Sequence, residues 1–582
     1  MADDDRLSAL GDDLLRRILH FVPFKEAAAT SVLSRRWGSL WRSSGAVNLD
    51  VRIRNDKGEH PSYEQRQEAF FSHRDAFVRA ATAALDAADA PVTRPTLRVV
   101  DEEARDYHED SSEAIRFLHG TIDPFVEHGV IGDVVSHWAA RGVEELRVAV
   151  AFAGDGLSSA AARHRQETNR PSDGTYRLSL AVPLIHVRVL DLTRCTGLTP
   201  PPPPPAMDGD AFFPRLETLR LQLCSLDTSD VQALMDAAPR LATVHLESVF
   251  FSMGGVRGDE APGGCVRLHC RAIDAPRLRY FRYKGSERPF SLTSLAPDLV
   301  EVDVHFHQER YTYLQGLNPE EKIAVFWQFV RNFTSARVLK LKVNNLEDIA
   351  VGKARRTELL CTFRNAVPLE LEGVHRATTS KAAAVAIPNL LRCCPALGDL
   401  RLKLSTVPSN SFKDPREPFL ERKDRMDYDK SDGRFMDRHR LKPVVSYLDD
   451  KDKLDGVATG HIPGLSGHSL TCLKTSLRRV SLQFRTNSSR CFGIQLVKFF
   501  ADNAKVLEEI CVNSGNRKLC EHMAIDVGRW VAPTSSKACL IHKNLAQSSW
   551  EISKIPRGSH NSRTDLINLA TSLTVLPLKR SR

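Results

Sequence analysis

Near the N-terminus the apolar positions recur at the spacing of a helix. Leu14, Ile18 and Val22 stand four residues apart, and Leu15 with Leu19 widens the stripe. Asp12 and Asp13 suit the electropositive start of such a helix, and Pro23 ends it. A second helix is expected from about Lys25 to Leu33, and a short third one carries Trp37, Leu40 and Trp41. A unit of about forty residues has little room for a core of its own. Its dense apolar face therefore calls for a second surface to cover it.

Further along, the period changes to that of a strand with one buried face. The pattern L-x-x-L-x-L, with aliphatic or aromatic substitutes, occurs at Val143-Leu146-Val148, Val187-Leu190-Leu192, Leu216-Leu219-Leu221 and Leu241-Val244-Leu246. It continues at Leu278-Phe281-Tyr283, Leu299-Val302-Val304, Ala336-Leu339-Leu341, Leu397-Leu400-Leu402, Leu477-Val480-Leu482 and Leu507-Ile510-Val512. A proline often stands two residues before the first apolar position, as in Ala275-Pro-Arg-Leu278, where it should end one element and start the next. Helical stripes lie between strands: Val231, Leu234 and Met235 after a cap at Thr228 or Ser229; Ile323, Phe326, Trp327, Val330 and Phe333; and Leu496, Phe499 and Phe500. Strand, turn, helix, strand is the grammar of leucine-rich repeats. The expected class is α/β: three N-terminal helices, then an irregular leucine-rich-repeat solenoid with a parallel concave sheet. A doubly wound sheet would need near-continuous apolar strands and fewer of them. The longest gaps between anchors, 61 residues from Ala336 to Leu397 and 80 from Leu397 to Leu477, mean insertions or repeats whose signature is hidden.

The first segment resembles the F-box, carried by Leu7, Leu10-Gly11-Asp12-Asp13-Leu14-Leu15, Ile18-Leu19, Phe21-Val22-Pro23 and the run Thr30 to Trp37. The family has Leu-Pro where this chain has Leu10-Gly11. Val135 to Leu146, Arg331-Asn-Phe-Thr334 and Asn389 to Pro395 are similar to plant, grass-type F-box/leucine-rich-repeat proteins, and Gln495 to Ile510 is similar to their FBD-type C-terminal region. The resemblance implies docking to a Skp-type adaptor, and through it to a cullin ligase, with the repeats binding a target protein and the chain residing in cytoplasm or nucleus. The adaptor contacts it implies are Leu7, Leu10, Leu14, Leu15, Ile18, Leu19, Val22, Pro23, Val32, Leu33 and Trp37. The expected domains are an F-box at 5–45, a linker and cap at 46–94, and the array at 95–550. Within the array fall a disordered insertion at about 405–470 and an FBD-like segment at about 475–550; a basic tail covers 551–582.

Composition adjusts this picture in a few places. The formal charge of +9 over 582 residues is a mild, dispersed excess, so nucleic acid is a lesser reading, kept as the alternative together with a scaffold outside ubiquitin chemistry. Twelve cysteines form no CxxC pair, which favours a reducing compartment. No signal peptide or membrane span is expected. Polar residues 53–63 should separate the F-box from the array. Pro200 to Pro205 should form a polyproline II loop, and residues 413–455, with twelve acidic and twelve basic side chains, a disordered one. No catalytic, nucleotide or metal motif stands out, so neither enzyme nor cofactor is expected; His305 and His307 share a strand face but make a poor metal pair. In each strand motif the leucines face inward, so the intervening position faces the target. Those positions are Asp191, Arg220, His245, Arg282, Asp303, Lys340, Arg401, Gln483 and Cys511. Five of the nine are basic or histidine, which hints at an acidic target patch; the alternative is that exposed strand positions are simply polar.

Overall fold

The N-terminal periodicity folds into three short helices, α1 (Asp12–Leu19), α2 (Phe24–Ala29) and α3 (Trp37–Leu40). The second helix is shorter than its apolar run, because a 3-10 turn takes over at Thr30–Val32. Leu15, Leu19, Ala27, Trp37 and Leu40 form the small core, with Leu10, Val22 and Trp41 packed against it.

The computed structural model describes residues 7, 9–53, 62–102, 114, 117–118, 129–152, 176–179, 184–199, 213–252, 272–286, 291–292, 296–306, 318–376, 380–407, 470–484, 492–513, 539–544 and 549–554. The proline run, the charged segment 413–455 and the tail beyond residue 554 lie outside them. The chain divides into two units, Met1–Ser335 and Ala336–Arg582.

In the first unit the strands of the main sheet are β1 (Ala46–Ile53), β2 (Arg94–Asp101), β3 (Glu145–Phe152), β4 (Val189–Thr193), β5 (Thr218–Gln222), β6 (Thr243–Glu247), β7 (Tyr280–Gly285) and β8 (Glu301–Phe306), and three two-stranded parallel sheets of short strands accompany them. Each pairs in parallel with the next, so chain order and sheet order coincide. Helices α4 (Tyr63–Asp86), α5 (Val130–Ser136), α6 (Thr228–Asp236) and α7 (Pro319–Arg331) lie between strands or after the last one. The sheet starts at Ala46, before the boundary of 95 expected from the repeats. Residues 54–61 therefore fall between β1 and α4, not between the F-box and the array. β1 and β2 do not show the full motif: β1 has Ser44 at the leading apolar position, and β2 has Val92 there but Pro95 in place of the middle leucine.

In the second unit β9 (Val338–Asn345), β10 (Pro368–Arg376), β11 (Asp399–Val407), β12 (Arg479–Phe484) and β13 (Glu509–Asn513) run parallel in order. β14 (Cys539–Asn544) and β15 (Ser549–Lys554) are antiparallel, with β15 seated between β13 and β14. The helices are α8 (Arg356–Leu359), α9 (Ser380–Cys393), α10 (Thr471–Thr475) and α11 (Phe492–Asn503). β10 is the repeat hidden in the long gap after Ala336.

The strand motifs place their anchors as the alternation requires: Leu190, Leu219, Val244, Val302, Leu339 and Leu482 are all fully or almost fully buried. The prolines act one step earlier than an extended reading allows. Leu216, Leu241, Leu278, Leu299 and Leu397 each donate an N–H to the carbonyl three residues back, at 3.0–3.4 Å. The intervening X-Pro-x-Leu is a tight turn with proline in its second position, where its fixed φ is favourable. The turn then hands two consecutive N–H groups to one carbonyl of the previous repeat, as Arg188 and Val189 do to Glu144 at 2.7 and 3.0 Å. After β4, β5 and β6 the chain bends through Arg194, Leu223 and Ser248 at φ of 62°, 54° and 50°. Their N–H groups reach the next repeat's carbonyls at 2.6–2.8 Å, which holds a backbone conformation that costs about 1 kcal/mol or more per residue.

The helix stripes fill the other layer. Asn318 and Glu321 form a capping box at the start of α7, with Pro319 in the first helical position. Its Phe329 ring lies 5.0 Å from Tyr283 and 5.3 Å from Phe306, and Trp327 is wholly buried. Each such aromatic pair adds about 0.5–1.5 kcal/mol to simple burial.

Candidate interaction surfaces

The α1–α3 module is tied down on one side and bare on another. Arg36 bonds the Asp12 carboxylate at 2.7 Å and the Leu10 carbonyl, holding the start of α1 against α3. The Trp41 indole donates to Ser31 at 2.9 Å and its ring meets Phe24 edge-on. Asn48 of β1 donates both amide hydrogens to carbonyls just past α1, to His20 at 2.9 Å and Val22 at 3.0 Å. Those carbonyls have no helical partner, so a side chain from the sheet supplies what the helix end lacks. His20 Nδ1 lies 3.0 Å from the Ser44 carbonyl, and the Arg94 guanidinium of β2 covers the Phe21 ring at 4.8 Å.

What these contacts leave uncovered is apolar. Leu7, Leu14, Ile18, Phe21, Val32 and Leu33 are exposed, Val32 to 87%. Each would gain by burial against a partner. The adaptor residues implied by the resemblance divide accordingly. Leu7, Leu14, Ile18, Val32 and Leu33 are exposed, and Leu10, Val22 and Pro23 are half-buried. Leu15, Leu19 and Trp37 are core residues, buried at 0%, 3% and 7% exposure, and can act on a partner only by shaping the module. Phe21, missing from that set, is 65% exposed. It falls off the four-residue stripe, which is why periodicity passes it over.

The second surface is the sheet face opposite the leucines. In the first unit Asp191, Arg220, His245, Arg282 and Asp303 stand in one row, paired strand to strand, with Arg147 extending it. In the second unit Lys340, Arg401 and Cys511 share a row with Glu370 and Ser481. Gln483 lies one step further along its strand, in the row of Lys342, Glu372 and Lys403; Ser481 holds the equivalent place.

The register also pairs the charges. Arg282 lies 3.3 Å from Asp303, which His305 also reaches at 3.1 Å. Lys284 bonds Glu247, Lys342 bonds Glu372, Lys403 bonds Glu370, and Arg401 lies 3.4 Å from Asp399. The cations thus face carboxylates of their own sheet more than an acidic partner. Burial raises the proton affinity of the Asp191 carboxyl, against the pull of Arg147 and Arg220. Burial lowers that of His245, helped by Arg220 and Arg282 and opposed by Asp303.

Among the described residues no group of three or more His, Cys, Asp or Glu is placed to hold a metal ion. His305 meets Asp303, and His307 lies outside the described residues. Cys195, Cys224, Cys393, Cys394 and Cys472 are buried free thiols. Burial pushes Cys472 up to about 11 and Cys224 higher still, so both stay protonated and unreactive. No described helix is long and apolar enough to cross a membrane.

A helical module with exposed apolar side chains, followed by stacked strand–turn repeats, is the build of a protein-interaction protein. Residues 7–46 match the F-box domain model. An F-box/FBD/LRR-repeat protein of Arabidopsis thaliana is 46% identical over 426 residues, 70% of this chain and 75% of the relative. The chain belongs to this plant F-box/FBD/LRR-repeat family. Other relatives from the same plant match over less of their length. Another F-box/FBD/LRR-repeat protein is 44% identical over 61 residues, 10% of this chain and 14% of the relative. A putative FBD-associated F-box protein is 51% identical over 49 residues, 8% and 26%.

Proposed function

We propose that the chain is the substrate-recognition subunit of a Skp-cullin-F-box type ubiquitin ligase. The observation that carries this is the concentration of exposed Leu7, Leu14, Ile18, Phe21, Val32 and Leu33 on the F-box. A Skp-type adaptor covers that face, and a cullin joins through the adaptor. The sheet face of the repeats, with Asp191, Arg220, His245, Arg282, Asp303, Lys340 and Arg401 on it, meets the target. The FBD-like segment at 475–550 closes the array, and the assembly works in cytoplasm, nucleus or both. The chain itself performs no bond chemistry; it raises the target's effective concentration beside the ubiquitin-carrying subunits. Extensive pairing of the sheet cations argues against a nucleic-acid backbone as the partner.

Co-expression with a Skp-type adaptor tests the reading. Wild-type chain should co-purify with the adaptor, and Val32→Glu with Leu33→Glu should abolish this without moving the thermal transition. Undiminished co-purification of the double variant would overturn the docking face.

A further inference from the structure

Among the described residues the charge pairing on the sheet face falls short around Asp191. Arg94 lies 3.2 Å from Glu145, Arg147 bonds Glu145 and lies 3.8 Å from Asp191, and Arg220 lies 3.7 Å from the same Asp191. Three guanidiniums share two carboxylates, and Arg220 stands at the end of that chain, 3.7 Å from a carboxylate it shares with Arg147. Its in-register neighbour on the other side is His245, followed by Arg282. Heights differ as well. The Asp191 and Asp303 side chains are 24% and 18% exposed, while Arg220 and Arg282 are 40% and 54% exposed. The acids lie low against the sheet and the arginines stand above them. Strands are about 4.8 Å apart, so the two arginines flank a gap of about 10 Å floored by a half-buried histidine.

We propose that Arg220 and Arg282, with His245 between them, hold a single carboxylate from an aspartate or glutamate of the bound target. One negative charge completes the chain of three guanidiniums and two carboxylates. A guanidinium fork matches a carboxylate in two parallel bonds, and the imidazole supplies a third donor between the arginines. A dianion would exceed the surplus charge and press on Asp191 and Asp303 at either flank. This subsite rests on the reading that the sheet face meets the target, and it narrows a general acidic patch to one acidic residue.

The test uses full-length chain purified with its adaptor and immobilised hexaglutamate, hexaglutamine and hexaphosphoserine peptides, read by biolayer interferometry at low ionic strength. Hexaglutamate should bind and hexaglutamine should not. Arg220→Gln with Arg282→Gln should weaken hexaglutamate binding about tenfold or more, while Arg355→Gln, which pairs with Glu358 in the second unit and lies off the sheet, should leave it unchanged. Asp191→Asn with Asp303→Asn frees both arginines and should tighten it several-fold. No hexaglutamate binding, no loss in the arginine variant, no gain in the aspartate variant, or an arginine-dependent preference for hexaphosphoserine would each overturn the carboxylate subsite.

A bulky neutral change, Gln222→Trp, separates the two readings. Affinity purification with a proteasome inhibitor gives the target set for comparison. An unchanged set with Gln222→Trp overturns target binding by the sheet face itself. A set lost with Gln222→Trp but kept in the arginine variant overturns only the carboxylate.

Discussion

The F-box and the sheet face of the first unit expose opposite things. The F-box leaves large apolar side chains in water while its polar groups, such as Arg36, Asp12 and the end of α1, are bonded internally. The sheet face shows water its charged groups, and joins them to one another across strands. Uncovered apolar surface is a standing driving force for association, roughly proportional to its area. A face of paired charges is close to neutral toward partners, because each must replace bonds already made. One surface is therefore suited to a constant partner and the other to a discriminating one, where mismatched charge penalises the wrong target.

The sharpest way to break this contrast uses two adjacent residues. Leu15→Asp places a carboxylate in the F-box core, where the native side chain is 0% exposed, and should cost more than about 4 kcal/mol locally. Leu14→Asp, at a site 52% exposed, should leave stability within about 0.5 kcal/mol yet abolish adaptor binding. Hydrogen exchange of the α1 amides distinguishes them: protection collapses in the first and persists in the second. Equal protection in both would erase the distinction between core and bare face. Next in size is Asn48→Ala, which leaves the His20 and Val22 carbonyls without their shared donor. It should destabilise the F-box by about 1–3 kcal/mol, seen as faster α1 exchange with β4–β6 unchanged. Smallest is the pH response of His245. Its proton affinity is lower folded than unfolded, so its contribution to stability is present above the unfolded value of about 6.5 and is lost as pH falls below it. His245→Gln should flatten the fall in melting temperature between about pH 7.5 and about pH 5.5, and an identical fall in the variant would remove His245 as a contributor.

Much of the fold was legible because burial enforces period. The leucine anchors could be read directly, and so could the α7 stripe. β10 keeps the spacing, as Ala366-Leu369-Leu371, but opens on an alanine and lacks the proline that marks five of the motifs. β1 and β2 were hidden because each lacks one apolar anchor, with Ser44 and Pro95 standing where the motif asks for one. The bare F-box residues were legible as a group but not one by one: a helical stripe does not say which half packs inward, and Leu14 and Leu15 exchange roles on that point alone. Charge pairing was the least legible feature. It depends on register between strands some thirty residues apart, so five basic or histidine positions suggested an acidic patch where Glu247, Asp303, Glu370 and Glu372 answer most of the sheet's cations from within.

The Asn48 contacts bear on how such a receptor can be rearranged in evolution. A crossover placed at the end of the F-box match, residue 46, would deliver the three helices without the amide that finishes α1. It would deliver the recipient array without the first strand beside β2. Both products would inherit a raw edge. Exchange of targets between proteins of this build is therefore expected to proceed through breakpoints inside the repeats, where successive strands meet through the same pair of N–H groups on one carbonyl, and the F-box should travel together with β1.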